Sequence, residues 1–498
     1  MTGRDPRSTF QDPRHEELDT KIMRSSAWAV VGSGGGNALA FVTTLVLARL
    51  LVPQEFGVVA IAMAILAVAQ IVQDSGLGAA LIVYRGDVRR AAASVLVFAP
   101  LVATALYAGF FAAAPLAAEF FDEPQLTDVV RVLAIVLVLR GLTTMPNALL
   151  ERQMRYMPIT AIQLGAGIAQ AATAIGLAVA GAGLWSLVAG QLAFAAARLG
   201  LSWAYSPLRP SPFEASVETL RELSRFGRHV GLANLIRYGN ANAHGIVLGR
   251  VLGATALGYY TIANRLAYMP VSVIGNIVGR GVFAALSHAG DDPARFRRIW
   301  LENIQRRALL ATPAAIGLAL VADPFVEVFL GDAWEPAIVP LQILALNSVV
   351  LTFSATSGEV FQALRRPKLR VLWEALYVTL IIPAMVVGAY WHGIVGAAVG
   401  VFVVHAVLGV GIVTFIAHIL GVRRGELIHA IARPALGWVL MAGAVLALHS
   451  VLDEQTAWVT LIALMAVGAG VYGVIVTLFA RDLVLTMWVN LRGARPSS

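Results

Sequence analysis

Residues 246–263, IVLGRVLGATALGYYTIA, echo residues 45–62, LVLARLLVPQEFGVVAIA, at a constant offset of 201. That register aligns Arg49 with Arg250, Gly57 with Gly258 and Ala62 with Ala263. A second echo follows at an offset of 210, where GLWSLVAG (183–190) resembles GIVGAAVG (393–400). Self-similarity over this distance reads as a duplicated unit. The second copy opens on a polar stretch, Arg237-Tyr-Gly-Asn-Ala-Asn-Ala-His244, inside an otherwise apolar run from about 231 to 252. An arginine within a span costs roughly 2.5–3.5 kcal/mol on insertion scales, so it is expected to face protein or a water-filled cavity. At 100° per residue Asn234, Arg237, Asn240 and His244 share one face.

Composition sets the class. Of 498 residues 58% are hydrophobic and 13% charged, with a mean hydropathy of +0.76. Soluble domains carry about 25% charged residues, so the expected fold is an all-α polytopic membrane protein. The chain has no cysteine, which excludes disulfides and thiolate metal sites. The net charge of +8 does not point to nucleic acid, because the basic residues sit in alternate loops. No short apolar segment with a small-residue cleavage site follows the polar N-terminus, so a cleaved signal peptide is not expected.

Fourteen apolar spans are legible. They divide into a tail (1–25), an N-lobe of six spans (26–205), a linker rich in proline (206–223) and a C-lobe of six (224–419). A loop (420–433), two further spans (434–480) and a C-terminal tail (481–498) complete the chain. With the N-terminus placed in the cytoplasm, 31 of the 37 Lys and Arg fall on that side. Arg49 and Arg250 fall outside, and Arg131, Arg140, Arg237 and Arg265 lie within spans. The positive-inside rule therefore predicts cytoplasmic termini. Six spans separate the copies, an even number, so the two lobes are expected to form a parallel repeat about an axis along the membrane normal.

Several spans carry polar stripes. Ser26, Ser33, Asn37 and Thr44 share a face of the first, which suits either close helix packing or cavity lining. Arg140, Thr143, Thr144 and Asn147 share a face of the fourth, whereas Arg131 is expected to snorkel. Thr261, Arg265, Tyr268, Ser272 and Asn276 line the eighth, and Ser348, Thr352, Thr356, Glu359 and Gln362 the tenth. Arg140, Arg237 and Arg265 are the expected cavity cations. Asp74 and Glu359 are the candidates for ion coupling; alternatively, Asp74 pairs with an arginine or caps a helix broken before Gly76 and Gly78. His244 and His405 stand alone and predict no metal site. Gly57 and Gly258 read most simply as turn residues after outer loops.

The segments ARLLVPQEFGVVAIA (48–62), DSGLGAALI (74–82), LLERQMRY (149–156), LGYYTIANRLAYMP (257–270), AALSHAGDDPARFRRI (284–299) and FLGDAWEPAIVPLQILAL (329–346) run through most of the chain. Through them it resembles the bacterial polysaccharide (lipid-linked oligosaccharide) flippases of the multidrug/oligosaccharidyl-lipid/polysaccharide exporter superfamily. That resemblance implies two six-helix lobes around a central cavity, alternating access and residence in the bacterial cytoplasmic (inner) membrane. It implies a substrate, undecaprenyl-pyrophosphate-linked oligosaccharide, turned from the inner to the outer leaflet, with no cofactor. Polysaccharide polymerase and glycosyltransferases are the expected partners. Substrate contacts are expected from Arg237, Arg265 and Arg140, with Asn234, Asn240, His244, Tyr268 and Asn37. A multidrug exporter or peptidoglycan-precursor flippase of the same superfamily is the nearer alternative. A pump for organic cations would want carboxylates where this cavity carries arginines. A polysaccharide polymerase or ligase would need a large outer loop, and every outer loop here is short.

Overall fold

The computed structural model describes residues 34–73, 76–279, 282–289, 292–452 and 455–479. Side chains at 71–72, 226–243, 276–279, 283–284, 367 and 479 fall outside that description. Among the described residues the structure is helical, without strands. In chain order the helices are α1 (Gly34–Leu50), α2 (Pro53–Gln73), α3 (Leu77–Val83), α4 (Val88–Phe121), α5 (Leu126–Leu133) and α6 (Ile135–Arg152). There follow α7 (Tyr156–Val179), α8 (Leu184–Ala204), α9 (Val217–Gly279), α10 (Val282–His288), α11 (Pro293–Leu320) and α12 (Ala322–Phe329). The last five are α13 (Ile338–Ser354), α14 (Ser357–Ala363), α15 (Pro367–Ile419), α16 (Arg424–His449) and α17 (Ala457–Phe479).

Among the described residues nine helices are long and apolar enough to cross a membrane, or ten with α11 and α12 as one span bent by 70°. Two of the long helices are really pairs. α9 breaks at Gly253 (φ 83°) and α15 at His392–Gly393 (φ 57° at the glycine), a conformation that costs a side-chain-bearing residue but not glycine. Divided there, with short helices joined to the spans they extend, the chain is consistent with the fourteen spans expected. Helices overrun the apolar segments. α9 starts at Val217, inside the stretch read as linker, and α16 starts at Arg424, inside the expected loop 420–433. At these polar starts side chains take up free N–H groups: Ser216 Oγ accepts from Thr219 N at 3.5 Å, and Glu426 Oε2 accepts from Arg423 N at 3.0 Å.

The repeat governs the packing. Gly183 (φ 53°, ψ −132°) and Gly393 (φ 57°, ψ −137°), 210 residues apart, hold nearly the same backbone conformation. A side chain on Gly190 would press on Ala174, and one on Gly400 on Ala384, again 210 residues apart. Between lobes, α2 packs along α9, and here one expectation is corrected. Gly57 and Gly258 lie inside helices, not in turns: a Cβ on Gly57 would overlap the Ala254 carbonyl, and one on Gly258 the Pro53 carbonyl. Glycine is needed for the closeness of two backbones, which the sequence pattern alone does not separate from a turn.

The connection between lobes is fastened to the N-lobe. Arg89 Nε donates to Glu214 Oε2 at 2.8 Å, Ser94 Oγ exchanges hydrogen bonds with the backbone of Ser216, and Tyr84 OH donates to Glu222 at 2.8 Å. The hairpin of α16 and α17 packs on α11 and α12, outside the repeat.

Candidate functional site

Two chambers open off the middle of the molecule. One, of about 780 Å³, lies on the C-lobe side against α9, α11 and α14; the other, of about 760 Å³, lies on the N-lobe side among α1, α2, α7 and α8. They share a wall made of Asn37, Ala40 and Thr44 from α1 with Thr261 and Arg265 from α9. The hydroxyl of Thr44 is turned back onto the Ala40 carbonyl at 2.7 Å, while Thr261 Oγ1 is buried without a hydrogen-bond partner.

The C-lobe chamber holds the charge. Arg265 sits twelve residues past the Gly253 break, about 18 Å along its helix. Arg307 approaches from the other end, fourteen residues into α11 and about 21 Å from its start. Arg307 is only 4% exposed, and its Nε donates to Asn303 Oδ1 at 3.0 Å, one turn earlier. Glu359, on α14, lines the same wall, and its Oε2 is buried without a partner. His244 enters the chamber with its ring 5.8 Å from that of Tyr260, and Tyr268 is half exposed to the chamber.

The structure thus brings together Asn37, His244, Arg265, Tyr268 and Glu359. Thr261 and Ser272 of the eighth span join them, while the Asn276 side chain lies outside the described residues. So do the side chains of Asn234, Arg237 and Asn240, and all of Asp74. Arg140 does not line either chamber. In its stripe Thr143 and Thr144 donate to the Arg140 carbonyl within the helix, and Asn147 Oδ1 accepts from Ser202 Oγ on α8 at 2.9 Å. The tenth-span stripe divides likewise. Ser348 donates to the Ala267 carbonyl on α9 and Thr352 to that of Ser348, both fully buried, leaving Glu359 at the chamber. Arg131 lies over the Phe111 ring, 4.7 Å from its centroid. His405 Nδ1 meets Asn347 Oδ1 at 2.9 Å. Among the described residues no His, Cys, Asp or Glu cluster could hold a metal ion.

Sequence reasoning missed two groups. Arg307 falls among the 31 basic residues that the sequence places on the cytoplasmic side, because apolar residues begin only after it; the helix starts at Pro293 and carries it inward. On the N-lobe side Gln163, Gln170 and Gln191 line the second chamber. The seven-residue spacing of the first two on an otherwise apolar helix was the available signal.

Residues 46–339 match the model of a family described as polysaccharide biosynthesis protein. Among curated proteins the chain is similar to the succinoglycan biosynthesis transport protein ExoT of Rhizobium meliloti (strain 1021), 28% identical over 480 residues, covering 95% of this chain and 96% of the relative. It is also similar to the lipopolysaccharide biosynthesis protein WzxC of Escherichia coli (strain K12), 24% identical over 397 residues, with 78% and 80% covered. Among solved structures it resembles the lipid II flippase MurJ in an inward closed conformation, with a TM-score of 0.75 at 12% identity, covering 91% of this chain and 99% of that one. An inward-facing multidrug resistance MATE transporter of the MOP superfamily follows, with a TM-score of 0.63 at 14% identity and coverage of 78% and 94%. At such identities the two structures show a common fold.

Proposed function

The chain belongs to the polysaccharide biosynthesis protein family, and from that membership we propose that it is a flippase for undecaprenyl-pyrophosphate-linked oligosaccharide. It turns this lipid from the inner to the outer leaflet of the bacterial cytoplasmic membrane, by alternating access, for assembly of a cell-surface polysaccharide. The protein is a transporter and not an enzyme. The observation that carries the substrate class is the C-lobe chamber, where Arg265 and Arg307 converge from opposite ends of two helices. Guanidinium groups match phosphate oxygens in bidentate geometry, and a cationic pocket repels organic cations. Arg237 joins them in this reading, with Asn37, His244 and Tyr268 as polar neighbours; Glu359 is the proposed coupling carboxylate. Glycosyltransferases that build the lipid-linked sugar and a polymerase that consumes it are the proposed partners, with both termini in the cytoplasm.

Reconstitution tests this directly. Proteoliposomes loaded with labelled undecaprenyl-pyrophosphate-linked oligosaccharide are expected to expose it to an outer-leaflet glycan-modifying reagent faster than protein-free vesicles. Equal rates in the two preparations, or faster movement of a cationic dye than of the glycolipid, would refute the assignment.

A further inference from the structure

The two chambers differ in chemistry although the lobes are copies. The C-lobe chamber carries Arg265, Arg307, Glu359 and His244, whereas among the described residues the N-lobe chamber has Arg265 at the shared wall as its one charged side chain. Elsewhere its polar groups are neutral, chiefly Gln163 and Gln170 from α7 and Gln191 from α8, with the rings of Tyr156 and Phe194 in the same wall. Seven residues are close to two helical turns, so Gln163 and Gln170 stand one above the other on a single face.

Comparison of the copies shows that these amides are not part of the shared scaffold. At the offset of 210 that relates Gly190 to Gly400 and Ala174 to Ala384, the positions of Gln163, Gln170 and Gln191 are taken by Trp373, Leu380 and Val401. Helix packing common to both lobes therefore does not need them. Polar amides inside a membrane protein are costly unless satisfied by water, protein or ligand.

We propose that the N-lobe chamber is the glycan subsite, which takes the sugars nearest the pyrophosphate while Arg265 and Arg307 hold the pyrophosphate on the C-lobe side; this rests on the flippase reading above. An amide offers donors and an acceptor together, as a sugar hydroxyl does, so three glutamines can bind a neutral glycan without a charge. Aromatic rings suit the apolar faces of sugar rings. The shared wall is where the two ligand parts meet. A chamber of about 760 Å³ is of small-ligand size. It accommodates a few sugar rings, so recognition falls on the reducing end of the glycan and not on its full length.

The test measures binding of two probes to the purified protein in nanodiscs: bare undecaprenyl pyrophosphate, and the same carrier bearing oligosaccharide extracted from host membranes. Wild type is expected to bind the glycosylated carrier more tightly. Gln163→Ala/Gln170→Ala/Gln191→Ala is expected to weaken that binding roughly tenfold to hundredfold, from the loss of up to three hydrogen bonds, and to leave the bare carrier unchanged. Gln170→Leu/Gln191→Val, which installs the residues that the other copy holds, is expected to act in the same direction and is sterically tolerated there. Arg265→Ala is expected to weaken both probes. Glutamine variants that bind both probes as wild type does, or lose both equally, would overturn the glycan subsite while leaving the flippase reading intact. Wild type that binds neither probe would overturn both.

Discussion

Gly57 and Gly258, 201 residues apart, form one reciprocal contact: Gly57 lies against the backbone of Ala254, and Gly258 against that of Pro53, itself 201 residues before Ala254. The relation extends outward. Trp334 Nε1 of the C-lobe donates to the Ala48 carbonyl at 2.8 Å, and Phe121 of the N-lobe lies against Gly249, the repeat partner of Ala48. Arg49 lies against Gly331, and Arg250 over the Phe120 ring at 5.4 Å. When position i touches j and the copy of j touches the copy of i, a two-fold axis runs through the contact. Both helices begin at the same end of the molecule, so the axis runs along them and the repeat is parallel. This end, expected to face outside, is closed by backbone contact.

Alternating access requires that contact to part. A leucine at Gly57 cannot fit against Ala254 and is expected to hold this end open. The chain has no cysteine, so Thr44→Cys in the chamber wall reports access cleanly. With Gly57→Leu added, labelling by an impermeant thiol reagent from the outside should rise several-fold and transport should fall. Unchanged outside labelling in that background would show that the glycine contact is not the gate.

Arg265 and Arg307 place two charges on chamber-lining helices, at an insertion cost of up to roughly 5–7 kcal/mol on scales of 2.5–3.5 kcal/mol each. The Asn303 bond to Arg307 and the nearby Glu359 charge offset part of this. Alanine at either position is expected to abolish transport with protein amounts maintained. Lysine should restore a minor fraction, since charge survives without the planar fork. Arg140→Ala, outside both chambers, is the comparison and is expected to retain transport. Wild-type rates in Arg265→Ala/Arg307→Ala would contradict the pyrophosphate assignment.

Periodicity and repeats carried the architecture because span length and the 201-residue register are one-dimensional facts. The stripe Thr261–Arg265–Tyr268–Ser272 was legible because one face of one helix meets the cavity. What failed depends on neighbours. Ser348 and Thr352 have the same spacing as a cavity stripe, yet Ser348 bonds to α9 and Thr352 to its own helix, and a helical wheel does not say which neighbour a face meets. Arg307 was hidden because hydropathy finds where apolar residues begin and not where the helix begins. Gly57 looked like a turn because closeness between repeats is a three-dimensional property.

Glu359 is the carboxylate of the C-lobe chamber, and its Oε2 has no partner although buried. Its charge lies within electrostatic reach of Arg307 on the same chamber wall. If it couples transport to an ion gradient, Glu359→Gln should bind the glycolipid as wild type does and make transport insensitive to an imposed proton or sodium gradient. A variant that keeps its gradient response, or that merely accumulates less in the membrane, assigns Glu359 a structural role instead.

Pro313 interrupts α11 six residues after the buried Arg307. Lacking an N–H, it leaves the Leu309 carbonyl without its intrahelical donor. Tyr472 of α17 supplies one, with its hydroxyl 2.6 Å from that carbonyl, and Trp438 Nε1 of α16 reaches the Ala308 carbonyl at 3.1 Å. The C-terminal hairpin, outside the repeat, thus repairs a break in the helix that carries a chamber cation. Tyr472→Phe removes the donor and keeps the ring, so it should destabilise the protein by about 0.6–2 kcal/mol, the range for membrane hydrogen bonds and for an unsatisfied buried carbonyl. Pro313→Ala restores the N–H, and in that background Tyr472→Phe should cost close to nothing. The readout is a double-mutant cycle on thermal unfolding in detergent. Equal costs in both backgrounds would mean that Tyr472 contributes packing alone, with no tie to the proline.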